Sequence, residues 1–242
     1  MSKHPLNPVP NKKGRQNPTN TPLSSDVSNF LAAARNISPQ GSQSGRLVFA
    51  LDATMSRQPT WDAACRMQAE MFDAVGSSSG LAVQLVYFRG FKECRASKWV
   101  SRTEALRDLM SGILCRGGQT QIGKVLTHTR KECKFANTKV SALVFIGDAM
   151  EEELDILAHK AGELGMLGVP AFMFQEGGDP VAEVAFREIA RLTRGAYMQF
   201  GEGSAAQLAE LLKSVARFAR GGRKALESGS SSADQLLLEQ MR

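Results

Sequence analysis

No part of the 242-residue chain approaches the roughly 20 consecutive apolar residues that a helix needs to cross a bilayer. The longest apolar stretches are strand-length, Ala142–Ile146 and Leu167–Phe174, the second interrupted by glycine and proline. No transmembrane helix and no membrane partner are therefore expected. The N-terminal MSKHPLNPVPNKKGRQNPTNTP is basic but carries no apolar segment after its lysines, so it does not read as a secretory signal, and the expected compartment is the cytoplasm. Cysteine is scarce. Cys65, Cys94, Cys115 and Cys133 form no C-x-x-C pair and read as reduced thiols. Histidine is scarcer still: His4, His128 and His159 make no H-E-x-x-H or other short ligand pair, which argues against a zinc site. His128 and His159 fall on expected helices, where a solvated side chain is the plain reading. The absence of G-x-x-x-x-G-K-[ST] excludes a P-loop.

The net charge of +6 is unevenly placed. Lys3, Lys12, Lys13, Arg15 and Arg35 oppose only Asp26 within residues 1–45, whereas residues 46–219 are nearly neutral. Such a basic tail is the only part of the chain that could touch nucleic acid. No aromatic residue is interleaved between Lys3 and Arg15 for stacking on bases, so a solvated, solubilising tail is the simpler reading.

Residues 1–22 hold five of the nine prolines together with many Asn and Lys, too little apolar surface to offset the entropy of ordering. Residues 1–45 are thus expected to be a disordered basic tail, with a short helix over 25–35 behind the capping residues Ser24, Ser25 and Asp26. From residue 46 strand and helix patterns alternate. Strands are expected over 46–51, 81–88, 140–146, 170–174 and 196–200, with a weaker edge hairpin arm near 91–100. Helices are expected over 59–75, 103–113, 122–133, 151–167, 181–193 and 205–219. Strands joined by helix-length crossovers imply a Rossmann-like, doubly wound α/β domain over 46–219, its mostly parallel sheet covered by helices on both faces. Residues 220–242 are expected as a flexible C-terminal tail with a short amphipathic helix built on Leu236, Leu237, Leu238 and Met241.

In such a domain ligands bind outside the carboxyl ends of the strands. Three segments should meet there. Asp52, Thr54 and Ser56 follow the first strand, Thr120 lies in the loop CRGGQTQIG, and Asp148 follows the strand SALVFIG. Two carboxylates and three hydroxyls form an oxygen-only set suited to a hard cation, Mg²⁺ or Mn²⁺. Each element also has a plainer reading: Asp52 and Thr120 as helix caps, and Asp148 with Glu151, Glu152 and Glu153 as a complement to a helix N-terminus. The run Glu151–Glu153 itself reads as a solvated first turn.

The D-x-T-x-S motif of Asp52–Ser56, the G-G-x-T-x-I-G loop carrying Thr120 and the strand-terminal Asp148 resemble, in order and spacing, the metal-ion-dependent adhesion site (MIDAS) of von Willebrand factor type A (VWA) domains. The likeness covers about residues 46–219, including RLTRGAYMQFGEGSAAQLAELL as closing strand and helix, and points to a bacterial, intracellular type. It implies a non-enzymatic domain that binds Mg²⁺ and uses it to grip a carboxylate of a protein partner. Thr54 and Ser56 would then coordinate directly, Asp52 and Asp148 would act mostly through waters, and Thr120 would join or leave the metal with the partner. Two positions depart from the family pattern. Thr54 stands where serine is usual, which keeps the oxygen but stiffens χ1. Gly147–Asp148–Ala149 replaces the usual T-D-G turn. The rival is a haloacid-dehalogenase-like, Mg²⁺-dependent phosphatase with Asp52 as nucleophile, partly imitated by Gly147–Glu152; it would need an acid two residues after the nucleophile, where this chain has Thr54.

Overall fold

The computed structural model describes residues 45–57, 81–135, 139–201 and 204–241. Every described residue belongs to one compact unit, Ser42–Arg242. The tail expected over 1–45, its helix at 25–35 and the helix at 59–75 lie outside the described residues, save for Gly45.

Six strands build one sheet: β1 (Gly45–Asp52), β2 (Leu81–Arg89), β3 (Glu93–Ala96), β4 (Ala142–Gly147), β5 (Ala171–Glu176) and β6 (Ala196–Phe200). Their order is β3-β2-β1-β4-β5-β6, and every pairing is parallel except the β2–β3 hairpin at one edge. The expected fold class is the one observed, and the weak edge pattern near 91–100 is the antiparallel β3. Parallel strands covered on both faces must be apolar at every position rather than at alternate ones. All eight residues of β1 are buried, and the five from Leu47 to Leu51 are apolar for this reason. Leu47, Phe49 and Leu51 enter one core while Val48 and Ala50 enter the other, so a single strand serves two hydrophobic layers.

The described helices are α1 (Thr103–Ser111), α2 (Ile122–Phe135), α3 (Leu154–Met166), α4 (Pro180–Thr193), α5 (Ala205–Glu227) and α6 (Ser232–Gln240). The core containing Val48 and Ala50 packs against α2, α3 and α4, and that containing Phe49 packs against α1, α5 and α6. None of the helices is long and apolar enough to cross a membrane.

The C-terminal stretch differs from the flexible tail expected of residues 220–242. α5 runs on to Glu227, bent at Gly222, whose φ of 65° and ψ of −161° favour a residue without Cβ. Ser231 then caps α6 in a reciprocal capping box with Asp234. The Asp234 carboxylate has no solvent exposure and accepts from one guanidinium nitrogen of Arg217, at 2.7 and 2.8 Å. Leu226 and Leu237 are fully buried, and Gln240 Oε1 accepts from the edge-strand Tyr197 N–H at 2.8 Å. The short amphipathic helix expected from Leu236, Leu237, Leu238 and Met241 is α6, and because a nine-residue helix is marginal alone it takes its stability from tertiary packing.

The packing of α6 sets a measurable expectation. Leu237→Ala should lower the unfolding free energy by about 3 kcal/mol in urea denaturation. A segment detached from the domain would leave the midpoint unmoved.

Candidate metal centre

β1 ends on Asp52 beside the end of β4, and the register pairs Leu51 with Ile146. Gly147 follows Ile146 because a Cβ there would stand 2.8 Å from the Phe145 ring and 3.4 Å from Asp52 Cβ. Asp148 is therefore the first β4 residue beyond the sheet, at the level where β1 gives out.

After Asp52 the chain turns through a 3-10 segment, Met55–Arg57. The turn is shaped by the carboxylate itself: the Thr54 N–H donates to Asp52 Oδ1 at 2.8 Å. It also brings the two hydroxyls together, Thr54 Oγ1 lying 3.1 Å from Ser56 Oγ. The glycine loop is held against this turn by backbone pairing. Arg116 N–H donates to Ala53 O at 3.1 Å and Gln119 N–H to Gly90 O at 3.2 Å. Gly118 is required there, since a Cβ would come within 2.1 Å of Gly90 O. The buried Gln121 amide reinforces the contact by donating to the carbonyls of Arg89 and Gly90 at 3.3 and 3.2 Å.

Thr120 does not cap its own helix. Its hydroxyl accepts the Glu151 N–H at 2.9 Å, and its own N–H donates to Glu151 Oε2 at 3.0 Å. Capping of α2 falls instead to Glu152, whose carboxylate accepts from the N–H groups of Ile122 and Gly123. The expectation of Glu151–Glu153 as a solvated first turn of the next helix is corrected in part: Glu151 and Glu153 are exposed, but the three residues precede the helix and Glu152 is half-buried. α3 begins at Leu154, and Glu151 and Glu152 tie the Asp148 loop to the Thr120 loop. The helix dipole and two orphan N–H groups of α2 supply the reason a carboxylate settles there. The only sequence signal was a run of three acids beginning three residues after the strand-terminal Asp148.

Two atoms stand out electrostatically. Asp52 Oδ2 and Asp148 Oδ1 are buried without a hydrogen-bond partner among the described residues, an arrangement that is costly for carboxylates unless a cation or water completes it. Burial pushes the Asp52 carboxyl up to about 6, with the nearby Asp148 charge adding to the rise, while its bonds to Thr54 and the charge of Arg57 oppose it. Arg57 was not anticipated as part of this region. It is 1% exposed, reaches Glu176 at the end of β5 in a 2.6 Å ion pair, and so fixes the β1 loop to a third strand end. Nothing in the local sequence pairs residues 57 and 176.

The five residues expected to form the centre thus lie on three neighbouring segments at one edge of the sheet. Asp52, Thr54 and Ser56 form a directly bonded group, and Asp148 acts electrostatically on Asp52. Thr120 is anchored to the Asp148 loop through Glu151. Among the described residues no group of three or more His, Cys, Asp or Glu side chains is arranged to hold a metal. A cation here would rest on two carboxylates and on hydroxyls, and the two buried, partnerless carboxylate oxygens fit a hard divalent ion.

A parallel sheet with polar loops gathered at the carboxyl ends of its central strands defines a Rossmann-like α/β domain. Its fold is, more narrowly, that of VWA domains. A von Willebrand factor type A protein from Catenulispora acidiphila superposes with a TM-score of 0.61 at 16% identity, over 74% of this chain and 43% of that one. The SpRpn10 VWA domain gives 0.57 at 11% identity, over 71% and 94% of the two chains. The pilus adhesin SpaC from Lactobacillus rhamnosus GG gives 0.58 at 11% identity, over 74% and 30%. The chain thus spans less than half of the Catenulispora and SpaC chains. No protein-family model and no curated protein matches the sequence.

The raised pKa makes stability depend on pH in a defined sense. Folded Asp52 holds its proton up to about pH 6, whereas an unperturbed aspartate releases it near 3.8. Its contribution is therefore fully present below pH 3.8 and is lost as pH rises through 6. In EDTA at pH 8, Asp52→Asn should be more stable than the parent by up to about 3 kcal/mol, a gain that disappears toward pH 4. Chemical denaturation of both proteins across that range measures it.

Proposed function

We propose that this chain is a non-enzymatic, divalent-cation-dependent protein interaction domain. The cation, Mg²⁺ or Mn²⁺, would be held by Thr54, Ser56, Asp52, Asp148 and Thr120. The observation that carries this reading is the pair of buried carboxylate oxygens, Asp52 Oδ2 and Asp148 Oδ1, that have no hydrogen-bond partner among the described residues, beside hydroxyls already drawn to within 3.1 Å of each other. When bound, the ion would supply an open coordination position for a carboxylate offered by a partner protein. The residues of the chain supply the rest. Asp52 Oδ1 fixes the Thr54 backbone and with it the hydroxyl direction. Glu151 holds Thr120 at the rim, so a shift of the Asp148 loop would move Thr120 with it.

Structural likeness to a pilus adhesin and to the SpRpn10 VWA domain supports an interaction role at the level of fold. The phosphatase alternative gains nothing from the geometry. Thr54 stands where such an enzyme needs an acid for its leaving group, and its backbone and hydroxyl are both engaged with Asp52 and Ser56. The free thiols of Cys94, Cys115 and Cys133 suit the cytoplasm as the proposed compartment.

Titration calorimetry with Mn²⁺, paired with pull-downs from native lysate with and without EDTA, tests the proposal. Ser56→Ala and Asp52→Ala should each weaken Mn²⁺ by at least about tenfold and release the same partner that EDTA releases. Bound proteins indifferent to all three treatments overturn it. Turnover of phosphoesters abolished by Asp52→Asn would establish the enzyme instead.

A further inference from the structure

A second polar feature lies away from the carboxylate cluster, where α2 and α3 flank the β2–β3 edge. A cavity of about 380 Å³ opens there, and its wall carries Arg95 from β3, Lys124, His128 and Lys131 from α2, and Lys160 from α3. No carboxylate contributes to that wall among the described residues. The α2 residues recur at i, i+4 and i+7, so one helical face delivers them together. Four cations around one small cavity are unexpected in a domain whose sequence between 46 and 219 is nearly neutral. Like charges brought this close repel, and the arrangement calls for an anion to offset them.

The hydrogen bonds show how much capacity remains. Lys124 Nζ donates to Lys92 O and Gln121 Oε1 at 2.9 and 2.6 Å, and Lys160 Nζ donates to Gly123 O and Thr127 Oγ1, both at 3.1 Å. An ammonium has three donors, so each of these two lysines is positioned by its framework bonds while keeping one N–H for a ligand. Lys131 is exposed and makes no ion pair among the described residues. The nearby acids offset this charge only in part, since Glu93 holds Arg95 through one nitrogen at 2.8 Å and Glu152 lies within the field of Lys124 and Lys160 while it caps α2. Glu132 approaches His128 at 4.0 Å but is also bound by Arg46 at 3.3 Å and by the Trp99 indole at 2.9 Å. Glu93 also pairs with Arg89.

We propose that this cavity is a binding site for a phosphate-bearing small molecule, held by Lys124, Lys131, Lys160 and Arg95 and separate from the carboxylate centre. Its volume lies at the low end of small-molecule sites, which suits a compact ligand with clustered phosphate oxygens rather than a large apolar one. Ammonium groups bind such oxygens as point charges, and the Arg95 guanidinium adds a planar donor fork at the mouth.

Inorganic pyrophosphate, titrated into the full chain in EDTA so that no metal takes part, is the probe. It should bind saturably and slow the alkylation of Cys94, which also lines the cavity, as read peptide by peptide in mass spectrometry. Lys131→Glu should weaken binding by at least about tenfold, while Lys213→Glu, on α5 across the sheet, should leave it unchanged. Absence of binding, unaltered alkylation of Cys94, or equal loss in both variants would each overturn the site. None of these readouts depends on the metal centre, so the two proposals stand or fall separately.

Discussion

Pairing of β1 with both β2 and β4 is the constraint from which the rest of the molecule follows. A parallel strand flanked on both sides and covered on both faces has no place for a polar side chain along its length, and β1 carries none between Leu47 and Leu51. Polarity is deferred to the strand ends, where backbone groups leave the ladder and loops must turn. Asp52 and Asp148 appear at those ends, one residue past the apolar run in β1 and just past Gly147 in β4. Because the two strands are neighbours, their terminal carboxylates are brought within each other's field, which helps raise the pKa of Asp52.

Holding two carboxylates together with little water requires a rigid surround, and the surround is built from interactions that cross between loops. Glu151 and Glu152 fasten the β4 loop to the head of α2, Gln121 fastens that head to the β2 turn, and Arg57 fastens the β1 loop to the end of β5. A buried ion pair such as Arg57–Glu176 contributes little net stability, because desolvation of both charges opposes their attraction. Its effect is positional: it joins two strand ends, and together with the contacts of Glu151, Glu152 and Gln121 it holds the loops that carry Thr54, Ser56 and Thr120. That preorganisation is what the proposed site, with few direct ligands, would need.

The same framework separates two kinds of charge. The carboxyl edge of the sheet concentrates anionic oxygen, and the outer face of α2 concentrates cations around the cavity near β3. Glu152 and Lys160 lie where the two regions approach, both close to Gly123 at the start of α2. Burial raises the Glu152 pKa, while hydrogen bonds from Gly123 and Ile122 and the charges of Lys160 and Lys124 act in the opposite direction. The first turn of α2 thus serves as a boundary between fields of opposite sign.

The alternation of apolar strands with amphipathic helices was legible in the sequence because burial on two faces leaves an unmistakable continuous run, as in residues 47–51 and 142–146. The alternating oxygens Asp52, Thr54 and Ser56 were legible for a related reason, since a local turn writes its chemistry into neighbouring positions. Thr120 and Asp148 could be joined to them through the rule that parallel strands share one carboxyl edge and through the resemblance in order and spacing to the adhesion-site motif. Other features left no comparable trace. Glu151 and Glu152 resembled an ordinary helix start, the docking of residues 220–242 on the domain could not be read from their apolar pattern, and Arg57 gave no sign of Glu176. Each of these depends on a contact between residues far apart in the chain, whose energy comes from desolvation and shared hydrogen bonds that exist only once the sheet has assembled. The sequence alone therefore determined the layers and the type of atoms at the strand ends. Tertiary structure alone decided which of those atoms are buried, which are satisfied, and which remain open to a ligand.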